Sequence, residues 1–172
     1  MFDKDIEQAL VRFLGGATRI AILGIGNELR TDDGLGPFII ANLQISSPFV
    51  MVENVGSVPE AFASSITEFG AQRVILIDAA DMHRPLGHVE IVTRGRIGGV
   101  AISTHSMPLS LLMMYLEQET GAETVLLGIQ PKSIAFGEGL TEEVMVVCQE
   151  VIMLLRSVLE KHLEAIRLVS NN

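Results

Sequence analysis

Tryptophan is absent from this 172-residue chain, and cysteine occurs once, at Cys148. A single thiol builds no disulfide framework and suits a reducing compartment. The same scarcity excludes a cysteine-rich zinc site. Basic residues are few as well: 12 Lys and Arg against 21 Asp and Glu give a net charge of −9. Nucleic-acid backbones are gripped by Lys/Arg patches, so no nucleic-acid partner is expected. An acidic surface is compatible with a basic peptide partner without specifying one. The N-terminal MFDKDIEQALVRFLGG carries charges throughout and lacks the apolar segment of a signal peptide, so the expected location is the cytoplasm. Ile97–Leu116 carries no Asp, Glu, Lys or Arg, yet Gly98, Gly99, Ser103, Thr104, His105, Ser106 and Pro108 would be costly in lipid. We expect this stretch to be protein interior holding a polar site, with no membrane insertion.

What is present is apolar: hydrophobic residues make up 48% of the chain. The length fits a single domain, 1–172, able to bury a core without staples. Ile6, Leu10, Val11, Phe13 and Leu14 recur at helical spacing before Gly15-Gly16, marking 1–16 as a helical extension. Buried strands are read at Arg19–Gly26, Met51–Val55, Arg73–Ala80 and Thr124–Ile129, with an alternating edge strand at Gly87–Val92. Helices follow Pro37, Pro59 and Pro108. Thr141 caps a long C-terminal helix with a stripe of Val144, Val147, Val151, Leu155, Val158 and Leu159. Alternating strands and helices predict an α/β fold, a three-layer sandwich with a twisted, mostly parallel sheet between helices.

The loop LGIGNELRTDDGLGP leaves the first strand where open α/β sheets place their sites. Gly24-Ile25-Gly26 begins a dinucleotide fingerprint, but Leu29 stands where the third glycine belongs, and no Gly-Lys-Ser/Thr follows. The loop offers instead Asp32 and Asp33 ahead of a helix. Spacing alone favours a helix cap over a metal ligand, and the two neighbours can divide those roles. Asp78 ends the run VILID, where a carboxylate is costly unless bonded, paired or metal-bound. His105, in STHSMP, is by itself more readily a satisfied core imidazole, although imidazole suits nickel, zinc and copper. His83 and His88 flank a Pro-Gly turn, and His162 falls near the end of the last helix. Met113, Met114, Met145 and Met153 read as core filler. No G-x-S-x-G elbow is present, and Cys148 falls on the core side of its helix, so neither serine nor cysteine is supported as a nucleophile.

Together, GIGNELRTDDGLGP, ILIDAADM, STHSMPLSLL and LLGIQPKSIAFGEGLT resemble the nickel–iron hydrogenase maturation endopeptidases, in order and spacing, over roughly Ile20–Leu155. T-H-x-M-P-L and G-I-Q-P point to the branch serving membrane-bound, hydrogen-evolving hydrogenases. The resemblance implies removal of a C-terminal extension from the nickel-loaded large-subunit precursor, the partner. It implies metal contacts at Asp33, Asp78 and His105, with Asp32 as structural support and Gly26-Asn27 shaping the loop. Nickel would arrive on the substrate, with none held tightly by the free enzyme. The ion suits carboxylate and imidazole ligands, and it would polarise the scissile carbonyl or activate water. Two alternatives stay open: a metal-free aspartic dyad, and an escort that checks nickel without cleaving.

Overall fold

The computed structural model describes residues 4–96, 102–103 and 107–170. The elements are α1 (Lys4–Leu14), β1 (Ile20–Ile25), α2 (Leu35–Leu43), β2 (Val50–Gly56), α3 (Ala63–Phe69), β3 (Arg73–Asp81), β4 (Val89–Thr93), β5 (Ile102–Ser103), α4 (Leu109–Thr120), β6 (Glu123–Ile129) and α5 (Glu142–Ser170). Short 3-10 turns precede α2, at Thr31–Gly34, and α3, at Pro59–Phe62.

The sheet runs β2-β1-β3-β6-β4, with β5 paired to the end of β3. β1, β2, β3 and β6 are mutually parallel, and β4 closes the edge in the antiparallel sense. Successive side chains of a strand face opposite ways, so these unbroken apolar runs feed two cores. Ile20, Ile22, Ile75, Ile77, Val125 and Leu127 pack with residues of α1, α2 and α5. Ala21, Leu23, Val74, Leu76 and Leu126 pack with residues of α3 and α4 on the other face. This is the expected helix–sheet–helix sandwich. β4 takes the predicted edge position, and Gly70 ends α3 in the left-handed region, at φ 74.

The α5 stripe is buried at Val144, Val151, Leu155, Val158 and Leu159, with Val147 half-buried beside it. Each such side chain contributes on the order of 2 kcal/mol through removal from water. α1 docks Leu10 and Leu14 into the same core. His162 lies inside α5 rather than at its end, and its Nε2 donates to the carbonyl of Ala17 at 2.8 Å. It thereby ties α5 to the turn after α1.

Two sequence expectations need correction. The uncharged stretch is not all interior: Pro108, Leu111, Met114 and Tyr115 are exposed, because α4 buries only the face holding Leu109, Leu112, Met113 and Leu116. Residues 97–101 and 104–106 of that stretch lie outside the described ones. Likewise Met113 is core, but Met114 and Met153 face solvent. Among the described residues no helix is long and apolar enough to cross a membrane.

Cys148 is fully buried in α5, and burial pushes its thiol up to about 12. Thiolate is the reactive form. A disulfide reagent at pH 8 should therefore find no reactive thiol in the native protein and one per chain after denaturation; prompt native reaction would place Cys148 at the surface.

Candidate active site

The carboxyl end of β1 and the first turn of α2 meet backbone to backbone, and glycine is what permits it. A Cβ on Gly24 would stand 2.5 Å from the Gly36 carbonyl oxygen, and one on Gly26 would stand 1.8 Å from that of Asp33. A Cβ on Gly36 would lie 2.2 Å from the Ile25 oxygen and 2.7 Å from that of Ile77. The start of α2 is thus wedged between β1 and β3, over the peptide that leads into Asp78. The Gly-x-Gly pattern serves this contact, with Gly26 at φ 148 where side chains rarely go.

Asp33 lies in the 3-10 turn that leads into this wedge, and Asp78 follows the Ile77 carbonyl that Gly36 approaches. The 3-10 turn carrying Asp33 packs against β3. Asp33 is 2% exposed, and its Oδ2 accepts from the Asn27 amide at 3.1 Å, folding the carboxylate back over the end of β1. Asn27 Oδ1 in turn accepts from the Leu29 amide at 3.0 Å. Asp78 is fully buried and pairs with Gly128 of β6, one residue beyond the last β1–β3 pair, Gly24↔Ile77. β3 runs on past Asp78, pairing Ala79 with Ile129 of β6 and Ala80 and Asp81 with β5, and ends one residue beyond the Ala80 read from the sequence.

Asp32 has a different task. Its carboxylate is fully buried and accepts from the amides of Lys132 (2.9 Å), Ser133 (3.0 Å) and Thr141 (2.8 Å), and from the Thr141 hydroxyl (3.0 Å). Around it the Asp32 amide donates to the Ser133 carbonyl, Thr31 to that of Gly137, and Gly137 to that of Leu29. The acidic loop and the segment from Lys132 to Thr141, which leads into α5, are therefore stitched together. The helix cap expected of this Asp pair does not form on α2, whose cap position is Gly34 with no side-chain cap. A carboxylate has enough lone pairs for four donors, and the distant segment supplies them.

Beyond β6, Gln130 links strand ends: its Oε1 accepts from the Met82 amide at 2.8 Å and its Nε2 donates to Asp81 at 3.2 Å. The amide of His83 and this side chain hold the Asp81 carboxyl below its ordinary value. The sequence reading took the stretch after β6 as a family motif and Thr141 as the cap of the last helix, and assigned Gln130 and the residues from Lys132 to Leu140 no contact with the acidic loop. Their signal was a polar, glycine-bearing stretch directly after a buried parallel strand. His105 lies outside the described residues, and among those described no three His, Cys, Asp or Glu side chains gather closely enough to hold a metal ion.

A sequence model of the hydrogenase maturation protease family matches residues 41–157, well over half of the chain. The chain belongs to that family. The match spans Asp78 and position 105 and begins after the Asp33 loop. The Hydrogenase 3 maturation protease of Escherichia coli K12 is 32% identical over 127 residues, 72% of this chain and 80% of its own. Among solved structures, the [NiFe] hydrogenase maturation protease HycI of Thermococcus kodakarensis superposes with a TM-score of 0.80 at 31% identity, covering 88% of this chain and 99% of that one. The solution structure of the Escherichia coli endopeptidase HycI gives 0.71 at 28% identity, over 81% and 90%.

This hydrogenase maturation protease is thus an endopeptidase, which displaces the escort reading. Cys148, buried and held as a thiol, is unfit as its nucleophile. The stitching makes two demands that can be tested. Asp32→Asn exchanges one acceptor oxygen for a donor facing amides, and should cost about 2–4 kcal/mol in denaturant unfolding. Gly26→Ala forces a methyl against the Asp33 carbonyl and should cost about 3 kcal/mol or prevent folding. Unfolding midpoints equal to that of the unsubstituted protein would refute either contact.

Proposed function

We propose that this protease removes the C-terminal extension of a nickel-loaded hydrogenase large-subunit precursor in the cytoplasm, with Asp33, Asp78 and His105 completing the coordination of the ion the substrate carries. The single observation that carries the reading is the burial of two carboxylates, on adjoining segments, at the carboxyl end of the parallel sheet. Carboxylate oxygens are ligands that a divalent cation accepts, and two of them held on neighbouring segments can share one ion. β5 supports the third member. It pairs Ser103 with Ala80 and runs antiparallel to β3, so its direction along β3 is from Asp81 toward Asp78, and His105 follows Ser103 by two residues.

The donor set suits the ion. Two carboxylates and an imidazole are oxygen and nitrogen donors that nickel accepts, and three protein ligands leave positions for substrate. Bound there, the ion would polarise the scissile carbonyl or activate a water molecule. The chain's own contribution is placement. Asn27 holds Asp33 through its amide, and the glycine wedge holds the loop against β3. The sequence relation to the Hydrogenase 3 maturation protease supports a hydrogenase as the source of the precursor.

Precursor incubated with the protease and weighed by mass spectrometry should lose its C-terminal segment only when loaded with nickel. His105→Ala should slow this by about 100-fold or more, because metal polarisation supplies several kcal/mol of barrier reduction. Equal trimming of nickel-free precursor, or a His105→Ala protein of unchanged rate, would point instead to the two aspartates acting as a metal-free dyad.

A further inference from the structure

Beside the acidic loop lies an open groove of about 470 Å³, within the range of ligand clefts. Leu29 of the loop, Phe38 of α2, Leu140 ahead of α5 and Met145 within α5 form its apolar surface, and Glu28 and Glu138 also line it. Gly34, the residue after Asp33, also lines it, so the groove lies against the outer side of the turn that positions Asp33. Its far wall is the segment Asp32 holds in place.

Two features separate this groove from an ordinary surface hollow. Its charge is of one sign: no Lys, Arg or His lines it, and neither Glu28 nor Glu138 forms an ion pair or side-chain hydrogen bond among the described residues. The cations of the neighbourhood are engaged elsewhere. Arg30 stacks over Phe136 at 5.4 Å and donates to the Ile134 carbonyl, while Lys132 is paired with Glu143. Its apolar surface also continues outward through Leu29, 60% exposed, toward the stitched loop that carries Phe136, 85% exposed. Large apolar side chains left in water beside a functional loop mark an interaction surface.

We propose that this groove binds an extended, basic segment of the substrate polypeptide, seating an apolar side chain over Phe38, Leu140 and Met145 with a Lys or Arg reaching Glu28 and Glu138. The inference rests on the protease reading above and adds to it the chemistry of the peptide gripped beside the cut. The net charge of −9 favours such a segment at long range, and the two carboxylates fix its register at close range.

The test has two arms, using the full chain and the charge-reversed Glu28→Lys/Glu138→Lys protein. Both positions are exposed, so folding is preserved, and circular dichroism checks it. In the first arm, fluorescein-labelled peptides alternating leucine with lysine, or leucine with glutamate, are titrated by anisotropy. The lysine peptide should bind the native protein and weaken with salt; the glutamate peptide should not bind; charge reversal should lower affinity for the lysine peptide about tenfold or more. Equal binding of both peptides, or no effect of charge reversal, would overturn the proposal. In the second arm, cleavage of nickel-loaded precursor should show a raised KM with little change in kcat for the charge-reversed protein. An unchanged KM would remove the groove from substrate binding while leaving the protease reading intact. Failure of the native protein to cleave at all would sink that reading, and the peptide arm would still decide the groove. Concentration-dependent self-association abolished by charge reversal would assign the groove to a second copy of this chain and contradict the proposal.

Discussion

The arrangement depends on one backbone contact: the end of β1 lying directly against the first turn of α2. No side chain mediates it, and at Gly24, Gly26 and Gly36 none fits. Because the contact is made by main chain, it leaves little freedom in where the intervening loop can run. Asp33 is carried to the edge of β3 as a consequence of packing rather than of any attraction to Asp78. Main-chain contacts of this kind fix the position of the turn that carries Asp33.

Asp32 extends the same constraint across the molecule. Its carboxylate gathers amides from a segment a hundred residues away in sequence and anchors the entry into α5. Adjacent aspartates thus do opposite work. Asp32 spends all its hydrogen-bonding capacity on structure, whereas Asp33, held through the Asn27 amide, lies at the end of the sheet. The same stitching raises the wall of the apolar groove, so scaffold, placement of the acid and the neighbouring surface share one cause.

Much of the fold was legible in the sequence because buried parallel strands are continuous apolar runs and their helices begin at proline or threonine. The edge position of β4 followed from its alternation. Less legible was anything set by long-range backbone pairing. The two-residue β5 has no periodicity to read, and it pairs with the last two residues of β3. The helix cap assigned to the Asp pair failed because local spacing cannot reveal that distant amides outbid the adjacent helix. Methionine burial was misjudged at Met114 and Met153, where the apolar content of the helix hid which face turned to water. For the site, Asp33 and Asp78 were visible as acids at strand ends, and the family resemblance tied them to His105. The segment from Lys132 to Thr141 was visible as a motif, but not its bonding to Asp32, which runs mostly through backbone amides.

The claim at the centre is that three side chains of this protease reach one ion belonging to its substrate. Nickel X-ray absorption on the complex with loaded precursor, trapped before cleavage, tests it at the metal itself. The account predicts additional oxygen and nitrogen neighbours relative to precursor alone, including imidazole scattering that disappears in the His105→Ala complex. A nickel spectrum unaltered by the protease would contradict it.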